Sequence, residues 1–386
     1  MGVRDTRGRI TVISLLTENI IRRIGIAAAV FTASVITVSC SFIPGTAEQT
    51  QVSITEATEA TIAATATPVP TDTPVPTPTP TPAPEHIVVD FLGDLTLADA
   101  LAWSGSPSSF DAVVGDDYNY CFQNCADYLA SDDLTYANFE GTYGDEHEPH
   151  MNKEFVFASD PQTVQILING SVEAVNLANN HSWDYWDEGL LNTQQTLEEA
   201  GILWSNQHST AIYEVRGIKI GMFGIDMIGS GDNASTAYPL IDELREAGCQ
   251  IIIASCHWGI ERYYEPTDEQ VYVAHQLIDY GVDIIVGTHP HRLQPIEIYN
   301  GKYILYSLSN FCFGGNTGLS DPDTCIVRCE FVMDASNSYA EEYNLTVVPY
   351  SQTSFASNDY CPRPYEWGTE DYYRVMDKLN WSQEDE

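Results

Sequence analysis

The chain has 386 residues, enough for one large domain or two small ones, and a net charge of −39. A protein this acidic offers no basic face to nucleic acid and no simple electrostatic attraction to a polyanion, so contact with an anionic polymer would need metal ions or local basic residues. Much of the charge reads as a solvated surface suited to an acidic or saline setting.

The composition divides the chain before any motif is read. Arg4, Arg7, Arg9, Arg22 and Arg23 supply nearly a third of the 16 Lys+Arg and precede the uncharged apolar run Ile24 to Val38. That run is short for a spanning helix and about right for a signal-peptide core. It ends at Val38-Ser39-Cys40, which has the form of a bacterial lipoprotein cleavage box, with Thr37 where a bulky aliphatic is usual. Residues 1–40 are therefore expected to be a signal peptide, a lipoprotein signal or an uncleaved membrane anchor. Residues 41–84 are rich in Thr, Ala, Pro and Glu and pass into a Thr-Pro repeat. Such a segment cannot form a core and is expected to be a disordered, extended stalk. Twenty residues of polyproline II reach ~60 Å, enough to hold a domain away from a membrane. A folded domain is expected over 85–350 with a C-terminal extension over 351–386, placed at the extracellular face of the cell membrane. Of nine cysteines, eight remain if Cys40 is lipidated. An even number outside the cell permits disulfides, buried free thiols being the alternative. No Cys-x-x-Cys pair occurs, so a structural zinc knot is not expected.

From His86 onward short apolar runs alternate with amphipathic stretches, the pattern of an α/β fold. Strands are expected over His86 to Leu92, Leu134 to Phe139, Val172 to Leu177, Ile218 to Gly224, Ile251 to Ser255 and Asp283 to Val286. Helices are expected around Asp117 to Ala130 and over Pro161 to Asn169, Asp187 to Ala200, Thr236 to Ala247 and Asp268 to Tyr280. Ala211 to Val215 pairs with the strand from Ile218 through Arg216-Gly217. Asn300-Gly301 joins Pro295–Tyr299 to Tyr303–Leu308 as a type I′ hairpin. Thr324 to Met333 and Asn344 to Pro349 are the last strands, and the residues beyond Tyr360 carry no clear element.

Five of these strands stop in polar residues: Asp94, Glu140, Asn180 with His181, His257, and His289 with His291. Open α/β sheets put their ligands at the carboxyl ends of strands, and five such ends are expected to meet at one sheet edge. Pro290 stiffens the last turn and keeps His289 out of helical conformation. Carboxylate, amide and imidazole together suit Mn, Fe or Zn. Two such ions bridged by a carboxylate would polarise a phosphoryl or carbonyl oxygen and supply hydroxide near neutral pH.

The runs Gly93-Asp94, Asn138-Phe139-Glu140, Lys153-Glu154-Phe155-Val156-Phe157, Leu177-Ala178-Asn179-Asn180-His181-Ser182, His257-Trp258-Gly259-Ile260-Glu261, Gly287-Thr288-His289-Pro290-His291 and Ser307-Leu308-Ser309-Asn310-Phe311 resemble the CapA family of capsule-synthesis, or poly-γ-glutamate biosynthesis, proteins. The resemblance covers roughly residues 86 to 315 and implies the αββα sandwich of calcineurin-like metallophosphatases. It also implies a dinuclear divalent-metal centre: Asp94 and His291 on the first ion, Asn180, His257 and His289 on the second, Glu140 bridging, and His181 facing the substrate as general acid. The chain departs from that pattern at Thr96, where a histidine of Asp-x-His would stand, at Glu140 in place of aspartate, and at Ser309 in place of glycine. Asp99 stands near the place of an arginine, and the stretch after His181 has a modified Asp-Tyr-Gly. The first metal position is accordingly expected to be weak or empty. Two functions follow. One is a surface hydrolase or transferase acting on an ester, γ-glutamyl amide or phosphoester. The other is a non-catalytic scaffold that holds poly-γ-glutamate or capsule polysaccharide within a membrane synthase or export complex. Lys153, Arg262 and Arg292 are candidate anion contacts, and Trp183, Tyr185 and Trp258 are candidate cleft walls or core.

Overall fold

The computed structural model describes residues 83–382, apart from 102–103, 145–148, 150–152, 316–317 and 355–356. The expected signal or anchor, and all but the last residues of the stalk, lie outside the described residues. From the amino end the chain forms β1 (His86–Thr96), α1 (Phe110–Val114), α2 (Ala126–Leu129), β2 (Leu134–Phe139), β3 (Thr142–Tyr143) and β4 (Ala158–Ser159). Then come α3 (Val164–Asn169), β5 (Ala174–Asn176), α4 (Trp186–Ala200), β6 (Leu203–Ser205), β7 (Ala211–Val215), β8 (Ile218–Asp226) and α5 (Ala234–Glu246). β9 (Ile251–His257), α6 (Asp268–Tyr280), β10 (Ile284–Thr288), β11 (Leu293–Tyr299), β12 (Lys302–Leu308) and β13 (Asn310–Phe313) follow. β14 (Asp323–Met333), β15 (Ala340–Ser351), β16 (Arg363–Pro364) and α7 (Glu370–Lys378) complete it.

The strands form two main sheets. One has the order β16-β15-β14-β1-β2-β5-β6, with β13 also pairing to β1, and the other β11-β12-β10-β9-β8-β7. Between them lies an apolar core of Ile87, Val89, Phe91, Leu134 and Tyr136 against Ile220, Met222, Ile251, Ile253, Ile284, Val286 and Leu305. A second core packs the outer face of the first sheet on α3 and α4, through Leu92, Leu95, Phe139, Ile166, Leu167 and Leu197. A third packs α5 and α6 on the outer face of the second sheet, through Leu240, Leu244, Val273, Leu277, Ile252 and Ile285. The chain is thus the αββα sandwich that the sequence led one to expect.

The sheets align because their strands are cut to the same plan. Alternate residues of β1 face the inter-sheet core as far as Phe91, and the pairing with β2 shifts register between Phe91 and Asp94. A one-residue slip exchanges the two faces of a strand. Leu92 faces the outer core by simple alternation, and the slip sends Leu95 there as well. β1, β2 and β5 are parallel, as are β8, β9, β10 and β12, so their carboxyl ends collect at one end of the sandwich. The expectation that the five polar ends share one sheet is corrected: β1, β2 and β5 belong to one sheet, β9 and β10 to the other. Periodicity reveals that a strand is buried but not which of two stacked sheets it joins.

Most elements match the expected boundaries within a few residues. Asn300 (φ 52°) and Gly301 (φ 77°) make the expected hairpin turn between β11 and β12. The segment expected to be helical from Asp117 is mostly turns, with only α2 helical. The C-terminal residues, without a legible element in the sequence, form β16 and α7. Tyr372, Val375 and Met376 of α7 join the inter-sheet core, and Ile296 of β11 donates its N–H to Leu379 O at 2.8 Å. The eight described cysteines are buried free thiols.

Candidate metal centre

All seven residues singled out in the sequence meet at the carboxyl ends of the two sheets. Asp94 is buried at the end of β1, and Asn138 Nδ2 donates to its Oδ1 at 2.8 Å. Asn138 Oδ1 in turn accepts from Asn176 at 2.8 Å and Asn179 at 3.2 Å. This buried amide chain ties β1, β2 and β5 together and leaves Asp94 Oδ2 facing the centre, 3.4 Å from His291 Nδ1. Donor atoms of Asp94, Glu140 and His291 all lie within 4.8 Å of one another, a spacing that could hold a metal ion.

The other three predicted ligands face the same space. His257 Nε2 lies 2.7 Å from Asn180 Oδ1 and 3.2 Å from His289 Nδ1. Its other ring nitrogen is 3.0 Å from Thr288 Oγ1, which fixes the ring plane. Glu140 stands between the groups: its Oε1 is 3.7 Å from His257 Nε2 and 3.8 Å from His181 Nε2. His181 Nδ1 is 2.7 Å from Asp184 Oδ2, so Asp184 sets the ring with Nε2 toward Glu140.

The test of a cation here is Glu140. It is fully buried, and neither carboxylate oxygen has a hydrogen-bond partner among the described residues. A buried carboxylate without donors is costly, and a divalent cation removes that cost. The residues present therefore fit a divalent metal. The electrostatics agree. Burial first, and the neighbouring Asp94 second, push the Glu140 carboxyl well above its usual range. Burial, then the His289 imidazole, hold His257 well below its usual range. Burial, then His291, bring His289 down to about 4. His291 is the exception: burial opposes its charge, but Glu140, Asp94 and Asn310 outweigh burial and raise it to about 9. Two imidazoles are thus neutral at pH 7, the form that binds metal, while His291 holds a proton that a cation would displace.

The local backbone is bent to make this convergence. His289 (φ 94°), His291 (φ 50°), Ser309 (φ 62°) and Arg262 (φ 68°) all occupy the left-handed region. Residues with side chains rarely adopt it, and clusters of such residues mark functional sites. Two close approaches permit the geometry. A Cβ on Gly93 would lie 1.9 Å from Ser309 O, and one on Gly287 2.0 Å from Tyr306 O.

A cleft of about 370 Å³ opens beside the centre, lined by Phe155, Phe157 and Phe313 with His181, His291, Asn310, Arg262 and Arg292. Of the candidate anion contacts, Lys153 is taken up by Asp184 at 2.6 Å and by Asn180 O. Arg292 donates to His291 O and Ser320 Oγ. The Arg262 side chain has no hydrogen bond or ion pair among the described residues, unlike Lys153 and Arg292. Trp258 is core, its Nε1 donating to Tyr306 O at 2.9 Å, and Tyr185 is buried. Sequence reasoning missed Asp184, Asn138 and the Phe157–Phe313 wall. Asp184 sits three residues after His181 and Asn138 two before Glu140, so motif spacing alone could have suggested both.

An α/β sandwich whose strand ends gather carboxylate, amide and imidazole has a site that could hold a divalent metal ion. The family described as bacterial capsule synthesis protein PGA_cap matches residues 88–315, and the chain belongs to that family. The PGA biosynthesis protein CapA of Bacillus subtilis (strain 168) is 32% identical over 215 residues, covering 50% of this chain and 56% of that protein. The capsule biosynthesis protein CapA of Bacillus anthracis is 28% identical over 221 residues, covering 50% of this chain and 54% of that one. The chain thus spans little more than half the length of these curated relatives. A solved structure described as a novel phosphatase of Mycoplasma pneumoniae superposes with a TM-score of 0.43 at 14% identity, over 69% of this chain and 94% of that one, too distant to inform the chemistry.

Proposed function

We propose that this protein is a metal-dependent hydrolase or transferase of capsule or poly-γ-glutamate synthesis, acting at the outer face of the cell membrane on a γ-glutamyl amide, an ester or a phosphoester. The observation that carries it is the unpartnered, buried Glu140 carboxylate amid Asp94, His257, His291 and His181. Asp94, Glu140 and His291 would hold one ion and Asn180, His257 and His289 a second, with Glu140 shared. Bound divalent metal supplies Lewis-acid polarisation of the scissile group and lowers the pKa of water. His181, turned by Asp184, presents Nε2 to the reacting bond and delivers a proton to the leaving atom. Arg262, uncommitted within the protein, takes an anionic group of the substrate at the cleft mouth. Phe155, Phe157 and Phe313 limit water around it. The arginine-rich, apolar and Thr/Pro-rich first 84 residues support an anchor and a stalk for a surface location, beside integral-membrane synthase or export subunits and their anionic polymer.

The test is elemental analysis of purified protein with assays on γ-glutamyl oligomers and aryl phosphodiesters. About two equivalents of Mn, Fe or Zn, lost with turnover in Glu140→Ala, are expected. A folded protein with neither metal nor turnover would sink the enzyme reading and leave a polymer-holding scaffold. In Asp184→Asn, kcat falls about 10²-fold or more while KM and metal content stay near wild type, since general-acid catalysis contributes ~10²–10⁴. An unchanged kcat would remove His181 from the mechanism.

A further inference from the structure

The first metal position is short of a ligand. Asp94, Glu140 and His291 bring three donors to it, and Thr96, two residues beyond Asp94, carries a hydroxyl that is buried without a partner. A cation held by three protein groups leaves several positions to water, and divalent ions that prefer oxygen take six or more ligands. The structure brings a further oxygen to His291, one of these three groups. Asn310 Oδ1 lies 2.7 Å from His291 Nδ1, the ring nitrogen that faces Asp94 Oδ2 at 3.4 Å. Two oxygens from different strands therefore converge on one nitrogen of a candidate ligand.

The backbone fixes this arrangement. β13 is parallel to β1, with Asn310 in register opposite Asp94, and Asp94 N donates to Ser309 O at 3.0 Å. Ser309 is held at φ 62°, and Gly93 lets the two strands touch there. Only this bend turns Asn310 inward, to 4% exposure, instead of continuing the line of β12. A neutral amide oxygen is a ligand that Mn, Fe and Zn accept beside carboxylate and imidazole.

We propose that Asn310 supplies its side-chain oxygen as a fourth protein ligand of the first metal position, in the role left open at Thr96. This rests on reading the centre as a metal site. The ligand comes from β13, a strand next to β1 in space and more than two hundred residues away in sequence. A positioning role for Asn310 makes a different prediction: the oxygen would hold His291 and stay outside bonding distance of the ion.

Crystals of the wild-type protein soaked with manganese, with the ion located by anomalous scattering, decide between the two. Asn310 Oδ1 within about 2.6 Å of the first ion is expected, the upper end of oxygen–metal distances for hard cations. A distance beyond 3 Å, with His291 bound to the ion, overturns the proposal. Calorimetric titration with Mn²⁺ gives an independent readout. Asn310→Ala is expected to lose one of two equivalents and keep the other, whereas the nearly isosteric Asn310→Asp binds the first ion tenfold or more tightly. Adding Thr96→His to Asn310→Ala restores the lost equivalent. Two equivalents of unchanged affinity in Asn310→Ala overturn the proposal. Wild type holding one ion, on Asn180, His257 and His289, overturns it too but leaves a metal centre standing; no uptake at all overturns both.

Discussion

At the scale of single residues, the site is built by strain and by charge. Ser309 carries a side chain at φ 62°, where an L-residue costs about 1–2 kcal/mol. Ser309→Gly removes that cost but frees the unfolded chain, so a net gain of about 0.5–1 kcal/mol is expected, with metal uptake retained. Denaturant unfolding measures it, and destabilisation would mean that the serine itself holds the turn. Charge sets the pH dependence. His289 titrates at about 4 and is already neutral at pH 7, whereas His291 keeps its proton to about 9. An ion must displace that proton, so apparent metal affinity rises with pH, by up to about tenfold per unit, and levels off above about 9. Calorimetry at pH 6.5, 7.5 and 9 reads this directly; a flat profile would show that the ion does not touch His291.

At the scale of elements, close approach decides what can vary. Gly287 lies where β10 passes the backbone of β12, and a methyl there would meet Tyr306 O at 2.0 Å and Trp258 Nε1 at 2.6 Å. Backbone cannot retreat as a flexible side chain does, so Gly287→Ala is expected to cost about 3 kcal/mol or more, visible as a fallen thermal midpoint. A stable Gly287→Ala protein would show the β10–β12 spacing to be adjustable. The same elements show how far the sequence could be read. The alternation of β1, the apolar runs of β9 and β10 and the Asn300-Gly301 turn were legible because each is a local pattern. The site ligands were legible because each follows directly on such a run. What joins strands at a distance was not: the division into two sheets, the Asn138–Asn176 amide chain and the return of β13 onto Asp94 are non-local pairings. α7 escaped notice because its polar sequence hides a narrow apolar stripe, Tyr372, Val375 and Met376, that only the open flank of the sandwich explains.

At the scale of the whole molecule, α7 acts as a wedge between the sheets, touching β15 of one and β11 of the other. It is also pinned by charge: buried Asp323 receives Arg374 at 2.7 Å and Lys378 at 2.7 Å, and Asp321 receives Lys378 at 2.6 Å. Breaking a buried ion pair by removing one partner costs about 3–5 kcal/mol, less where the partner is half exposed as Arg374 is. Lys378→Ala is expected to lower stability by about 1–3 kcal/mol, and Val375→Asp to abolish folding; circular dichroism and urea titration measure both. A Val375→Asp protein as stable as wild type would mean that α7 merely rests on the surface.

The family match closes at residue 315, yet β14 forms six register pairs along β1, the strand that carries Asp94. The matched region of this chain is therefore smaller than the unit its strand pairing holds together. A graft, a library or a crystallisation fragment trimmed to the shared region would expose the flank of its own central strand, an adhesive edge that invites association with another copy. The support of the centre thus extends past the matched residues, through β14 on the flank of the strand that carries Asp94.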